Sequence, residues 1–360
     1  MEFMKVKQLA SILACAFVAG SCVSDDVAGV EPVDSSMITF SAVVPAVVSR
    51  GAPTTTATIS NFAVTAFANG KKLMDNVLVE REGANWECST PAYWPDSPVN
   101  FYSVSPDLAA SPDVDGSPTG TASINNYANP GNVDLLYAVN YGEIQTAAPV
   151  RVNFRHALSM VDVRLSSDNA DIIVKVRSVE IGNIYKRASF FYPRQTTYPD
   201  SDASGYWHSL ALMGIVTLYS SEEKGGTLVL TPDVTDVSDG SIGNNIDFFI
   251  PQQLDPLSYD ESSQSFTGTY ISVDCEIFDK ATGGKLFPGS HTPDYILVPG
   301  TDCGRIMYPA SGGTLTQWKI GYAYVYNISI NNPAVLFDGI EFGVTVDEFN
   351  DENISESSII

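Results

Sequence analysis

The strongest constraint on how this chain folds is the period of its apolar residues. It is two almost everywhere, and no long stretch beyond the first two dozen residues has apolar positions at i, i+3, i+4 and i+7. Alternating runs recur at Ile59 to Phe67, Val99 to Val104, Asn153 to Leu165, Ile172 to Ile181, Thr227 to Leu230, Asp247 to Ile250, Thr269 to Phe278 and Tyr322 to Ile330. Successive side chains of a strand point to opposite faces, so each run reads as a strand with one face in a core. Between the runs stand turn-forming residues: Asn69-Gly70, Pro106-Asp107, Asp115-Gly116, Asn129-Pro130-Gly131, Asp239-Gly240, Gly283-Gly284 and Gly312-Gly313. Many short strands punctuated in this way predict an all-β protein built of β-sandwiches. A chain of 360 residues is long enough for two ordinary domains, and Thr146-Ala147-Ala148-Pro149 is the best boundary, giving 37–150 and 151–360.

The first residues read as an address. Lys5 and Lys7 form a basic n-region, Leu9 to Gly20 an apolar stretch too short to span a bilayer, and Ala19-Gly20-Ser21 places small residues before Cys22. That pattern predicts a lipoprotein signal peptide over 1–21, with the Cys22 thiol taking a diacylglycerol and anchoring the chain to a membrane. Residues 23 to 36 are polar and acidic, a tether between lipid and folded body. Val23-Ser24-Asp25-Asp26 resembles the signal that sends lipoproteins of the Bacteroidetes to the outer face of the outer membrane.

Composition excludes several function classes. With 19 basic against 42 acidic residues the net charge is -23, which repels phosphate backbones, so nucleic acid is not expected as a partner. Outside the signal and Cys22 the cysteines are Cys88, Cys275 and Cys303, with no C-x-x-C spacing; buried free thiols are expected, with pairing of two of them left open. His156, His208 and His291 fall in different segments and read as structural. The acid-rich loops around Asp113 to Gly116 and Asp233 to Asp239 lack the spacing of an EF-hand. No nucleophile elbow, phosphate loop, dinucleotide fingerprint or zinc-protease helix occurs, so no catalytic, cofactor or metal site is expected and the chain does not read as an enzyme. Tyr322, Tyr324, Tyr326, Ile328 and Ile330 share one parity and are expected in a core, whereas Trp86, Trp94 and Trp207 stay open.

Two segments at opposite ends carry interchangeable patterns. Ile38, Phe40, Ala42, Val44, Ala46 and Val48 alternate up to Ser49-Arg50-Gly51, and Ile340, Phe342, Val344 and Val346 alternate up to Asp347-Glu348. Either set suits the same hydrophobic groove. Cutting after Arg50 would empty the groove of its own strand and open it to a strand from another molecule.

Met37 to Ser41 leading to Ser49-Arg50, then Ile59 to Phe67, resembles the opening of the fimbrillin-like family of the Bacteroidetes. Tyr93-Trp94-Pro95 with Val99 to Pro106, Phe154-Arg155-His156-Ala157-Leu158 with Ser159 to Val163, and Trp318 to Tyr324 are similar to that family's later motifs in the same order. The resemblance implies two tandem transthyretin-like β-sandwiches, export as an outer-membrane lipoprotein, and proteolysis after an Arg, here Arg50, that removes the strand within 37–50. It implies further that a homologous subunit's C-terminal strand, here around Ile340, Phe342, Val344 and Val346, then fills the groove to build a type V pilus, a cell-surface fimbria used in adhesion. The expected partners are homologous subunits, the lipid on Cys22, a maturation protease and an adhesion ligand that the sequence does not name. Phe349 stands where the family often has Trp. The competing expectation is a surface lipoprotein that binds glycan or protein and does not polymerise.

Overall fold

The hairpin between the second and third strands shows how the local sequence sets the fold. Asn69 and Gly70 both take positive φ, 50° and 72°, the geometry of a two-residue turn whose twist matches that of its flanking strands. A computed structural model of the chain describes residues 36–44, 53–108, 113–114, 122–193, 206–263, 265–332 and 342–348. Cys22, Arg50 and Ile340 lie outside these residues.

The first half comprises β1 (Phe40–Val43), β2 (Asn61–Ala68), β3 (Lys71–Glu82), β4 (Asn85–Cys88), β5 (Val99–Ser105), β6 (Asp113–Val114), β7 (Ala122–Ala128), β8 (Leu136–Glu143), β9 (Val150–Asn153) and β10 (Arg155–His156). The second comprises β11 (Ser159–Ser166), β12 (Ile172–Phe191), β13 (Trp207–Ser220), β14 (Leu228–Val229), β15 (Thr235–Asp236), β16 (Phe248–Phe249), β17 (Gln252–Gln253), β18 (Ser258–Asp260), β19 (Ser265–Thr267), β20 (Tyr270–Asp279), β21 (Lys285–Phe287), β22 (Gly304–Pro309), β23 (Gln317–Trp318), β24 (Tyr322–Ser329) and β25 (Phe342–Glu348). The fold is all-β, as expected. Two short helical elements, Ser221–Lys224 and Asp294–Ile296, interrupt the strands, and no described helix is long and apolar enough to cross a membrane.

A six-stranded sheet runs β10-β8-β5-β2-β3-β4, and β1 pairs in parallel with β9 in a separate two-stranded sheet. A second set runs β15-β11-β24-β25, with β16 also on β11, and an eight-stranded sheet is centred on β12 and β20. One buried cluster draws on residues between Ile38 and Phe154 and another on residues between Val161 and Ile330. A third, with Tyr102, Tyr137, Phe190 and Trp207, takes residues from both halves. β7 precedes residue 150 yet pairs with β12, Ile124 opposite Phe190.

The run from Asn153 to Leu165, expected as one strand, is divided among three. β9 pairs with β1, β10 with β8, and β11 with β24, β15 and β16. Phe154, Ala157 and Leu158 occupy the corners and are fully buried. Corners inside a core are as apolar as the strands they join, so periodicity passes over them. Tyr324, Tyr326, Ile328 and Ile330 are buried as expected, whereas Tyr322, expected with them, is half-buried. Trp207 is also buried and donates its Nε1–H to the Ala157 carbonyl at 2.6 Å. Cys88, Cys275 and Cys303 are free thiols; burial pushes the Cys88 thiol up to about 11 and Cys275 well above the usual range, which disfavours the reactive thiolate.

Candidate functional site

The first strand lies inside the fold. Ile38, Phe40, Ala42 and Val44 are at most 8% exposed, whereas Thr39, Ser41 and Val43 are half-buried. That is the alternation written in the sequence. Ala46 and Val48 lie outside the described residues. Phe40 meets two rings edge-on: Phe62 on β2, with centroids 6.0 Å apart, and Phe101 on β5, 5.6 Å apart. Phe154 and Trp94 extend the same aromatic packing through Phe62 and Phe101.

The backbone of this segment is held by two different neighbours. The Ile38 N–H donates to the Ala92 carbonyl, and Trp94 N–H donates to the Ser36 carbonyl, both at 2.8 Å. The Val150 and Phe154 N–H groups donate to the Thr39 and Val43 carbonyls, also at 2.8 Å. In register, Phe40 is opposite Val150 and Ala42 opposite Val152. Removing residues 36–44 therefore vacates an apolar slot and frees hydrogen-bonding groups on both 92–94 and β9, and buried groups of that kind demand partners.

The two ends of the connection that holds Arg50 are pinned. Val44 N–H donates to the Thr56 hydroxyl at 2.9 Å, and that hydroxyl donates back to the Val44 carbonyl at 2.8 Å. Thr54 N–H donates to Asp134 Oδ2 at 2.7 Å, while Asp134 Oδ1 lies 2.9 Å from Nδ1 of the fully buried His156. His156 thus has a carboxylate neighbour inside the core. Asp134 and Thr56 were not singled out by the sequence, because Asp134 is 80 positions from Thr54 and carries no motif.

At the other end, β25 pairs antiparallel with β24 and forms the margin of its sheet. Phe342 is opposite Ile328, Val344 opposite Tyr326 and Val346 opposite Tyr324. Among the described residues no group of His, Cys, Asp or Glu is arranged to hold a metal ion.

The sequence from 49 to 348 matches the family model described as fimbrillin-like. No curated protein sequence matches the chain. Among solved structures, a fimbrial protein from Bacteroides vulgatus ATCC 8482 aligns with a TM-score of 0.53 at 13% identity, over 87% of this chain and 99% of that one. A protein from Bacteroides uniformis ATCC 8492, described as a candidate cell adhesion protein, aligns with a TM-score of 0.49 at 13% identity, over 88% and 100%. The tip fimbrial protein Mfa3 from Porphyromonas gingivalis aligns with a TM-score of 0.38 at 8% identity, over 81% and 94%. The family match covers most of the chain, including β2 to β25, and the chain belongs to the fimbrillin-like family.

Proposed function

We propose that the chain is a non-enzymatic structural subunit of a cell-surface fimbria that polymerises by strand exchange. In this reading Cys22 is acylated and anchors the precursor in the outer membrane. A protease cuts after Arg50, the segment that includes β1 leaves, and the Ile340-Phe342-Val344-Val346 strand of a neighbouring subunit enters its place. A division into two sandwiches near residue 150 belongs to the same proposal; the clusters around Phe62 and around Tyr326 favour it, the first of them extending past residue 150 to Phe154.

The observation that carries it is the position of residues 36–44, which fill a core built by other strands and take backbone partners from two segments. Burying Ile38, Phe40 and Val44 contributes roughly 5 to 9 kcal/mol as an upper estimate, which an incoming strand of matching pattern recovers. The family match starts at residue 49 and does not include that segment. The pairing of β25 with β24 within one chain favours a second reading, in which the protein stays a monomeric surface lipoprotein that binds glycan or protein.

Protein beginning at Gly51 separates the two. A fimbrial subunit forms ladders resistant to sodium dodecyl sulfate, and loses them when 336–360 are removed. A chain that remains monomeric after cleavage supports the second reading.

A further inference from the structure

The end of β1 nearest Arg50 is held by a contact that neither 92–94 nor β9 supplies. Arg81 on β3 is an exposed residue, yet its guanidinium is placed by several neighbours at once. Its Nη1 donates to the Thr56 carbonyl at 2.8 Å and to the Ala57 carbonyl at 3.2 Å, and its Nε donates to the Gly83 carbonyl at 3.3 Å. The turn at Gly83, with φ of 64°, sets Trp86 of β4 opposite Arg81, and the guanidinium lies 5.8 Å from the centroid of the Trp86 ring. A planar fork of N–H donors serves several carbonyls together, which a single ammonium does not.

The carbonyls that Arg81 holds belong to a tight turn, in which the Thr58 and Ile59 N–H groups donate to the Thr55 carbonyl at 3.0 and 2.9 Å. Thr56 works in two directions: its carbonyl meets Arg81, and its hydroxyl bonds both the N–H and the carbonyl of Val44. Trp86 packs on Phe62 with centroids 5.0 Å apart, and Phe62 in turn meets Phe40. Arg81 therefore ties the turn at 55–58 to a hairpin that packs on the aromatic lining of the β1 slot.

We propose, on the reading that the chain is cut after Arg50, that Arg81 is a positioning residue for the release of β1. It fixes Thr56, and Thr56 fastens Val44, the last described residue before Arg50. A cut leaves β1 with a free end on that side, and local opening starts where a chain end frays. Among the described residues, the Thr56–Val44 pair opens first, ahead of the bonds from the Phe154 and Val150 N–H groups to the Val43 and Thr39 carbonyls. Arg81 thereby sets how fast the slot empties and how soon another strand begins to enter.

The test has two readouts on the full chain carrying Cys22→Ala. In uncut protein, Arg81→Gln should raise amide hydrogen exchange at Val44 roughly three- to tenfold, the scale of one lost hydrogen bond, and leave exchange at Ile38 unchanged. Arg81→Lys keeps the charge without the fork and should behave as Arg81→Gln does. Thr56→Val should raise exchange at Val44 at least as much, and adding Arg81→Gln to it should raise it no further, because Arg81 acts through Thr56. A general loss of stability would instead raise exchange at both amides and add to the effect of Thr56→Val. After cutting at Arg50 with an arginine-specific protease, the fragment ending at Arg50 should leave Arg81→Gln protein faster by the same factor. Parent-like exchange at Val44 in Arg81→Gln, additive effects in the double variant, or equal release after cutting would each overturn the proposal. A chain that resists cutting at Arg50 sinks the processing reading, and exchange in uncut protein still decides whether Arg81 holds Val44.

Discussion

Phe40 sits edge-on to Phe101 at 5.6 Å between ring centroids and 88° between planes, so the first strand is a structural part of the uncleaved protein. Replacing Phe40 by Ala removes a ring that is 3% exposed and should destabilise the uncleaved chain by about 3–5 kcal/mol. Urea melts of the Phe40→Ala chain and its parent, both retaining residues 36–50, check the expectation, and equal midpoints would contradict it.

Asp134 links the chain just beyond Arg50 to the interior, through Thr54 N–H at 2.7 Å and His156 at 2.9 Å. Asp134→Ala should lower stability by about 1.5–3 kcal/mol, since it strips partners from a buried imidazole and a backbone donor. It should also speed trypsin cleavage between 45 and 58 in the folded protein. Unchanged melting and digestion would show that the pin is unimportant.

Asp162 on β11 is 3% exposed, and Arg164 Nη2 lies 2.9 Å from its carboxylate. Burial first, then the charge of Asp236, pushes the Asp162 carboxyl up to about 6 despite Arg164, and burial followed by Asp162 pushes Asp247 up to about 7. Both folded values lie above those of an unfolded carboxylate, so the native state binds protons more readily between pH 4 and 7. The stability they contribute is present at low pH and is lost as pH rises through 6 to 7. The melting temperature should therefore climb as pH falls from 8 to 5, and Asp162→Asn with Asp247→Asn should flatten that slope. A profile equally steep in the double variant contradicts the assignment.

Cys22→Ala should abolish incorporation of labelled palmitate and release the protein from the membrane fraction, with the folded body unchanged. Membrane anchoring of that variant would contradict the lipoprotein reading.

The alternation at Ile38, Phe40, Ala42 and Val44 was legible because period two reports burial directly, and the Asn69-Gly70 turn was legible because few residues tolerate positive φ. The corners at Phe154 and Ala157 were not, since a buried corner and a buried strand have the same composition. Nor was the passage of β7 into the sheet of β12, which depends on pairing Ile124 with Phe190 across 66 positions. The exposure of Leu210, Leu212, Met213 and Ile215 on β13 also escaped: a stretch such as Leu210-Ala211-Leu212-Met213 carries no sign of whether it faces a core or solvent. Asp162 stands in an apolar strand without announcing that it is buried against Arg164.

The central claim, that the slot of β1 receives a C-terminal strand, is tested most directly by thermal shift with a peptide of residues 338–349. The receiving protein starts at Gly51 and lacks 336–360. The account predicts that the peptide raises its melting temperature, by the equivalent of about 2.7 kcal/mol at a hundredfold excess over Kd. It predicts no shift for a matched protein that retains residues 36–50, because its slot is filled. No shift in the Gly51 protein, or an equal shift in both proteins, which would place the peptide on the free edge of β24, would contradict it.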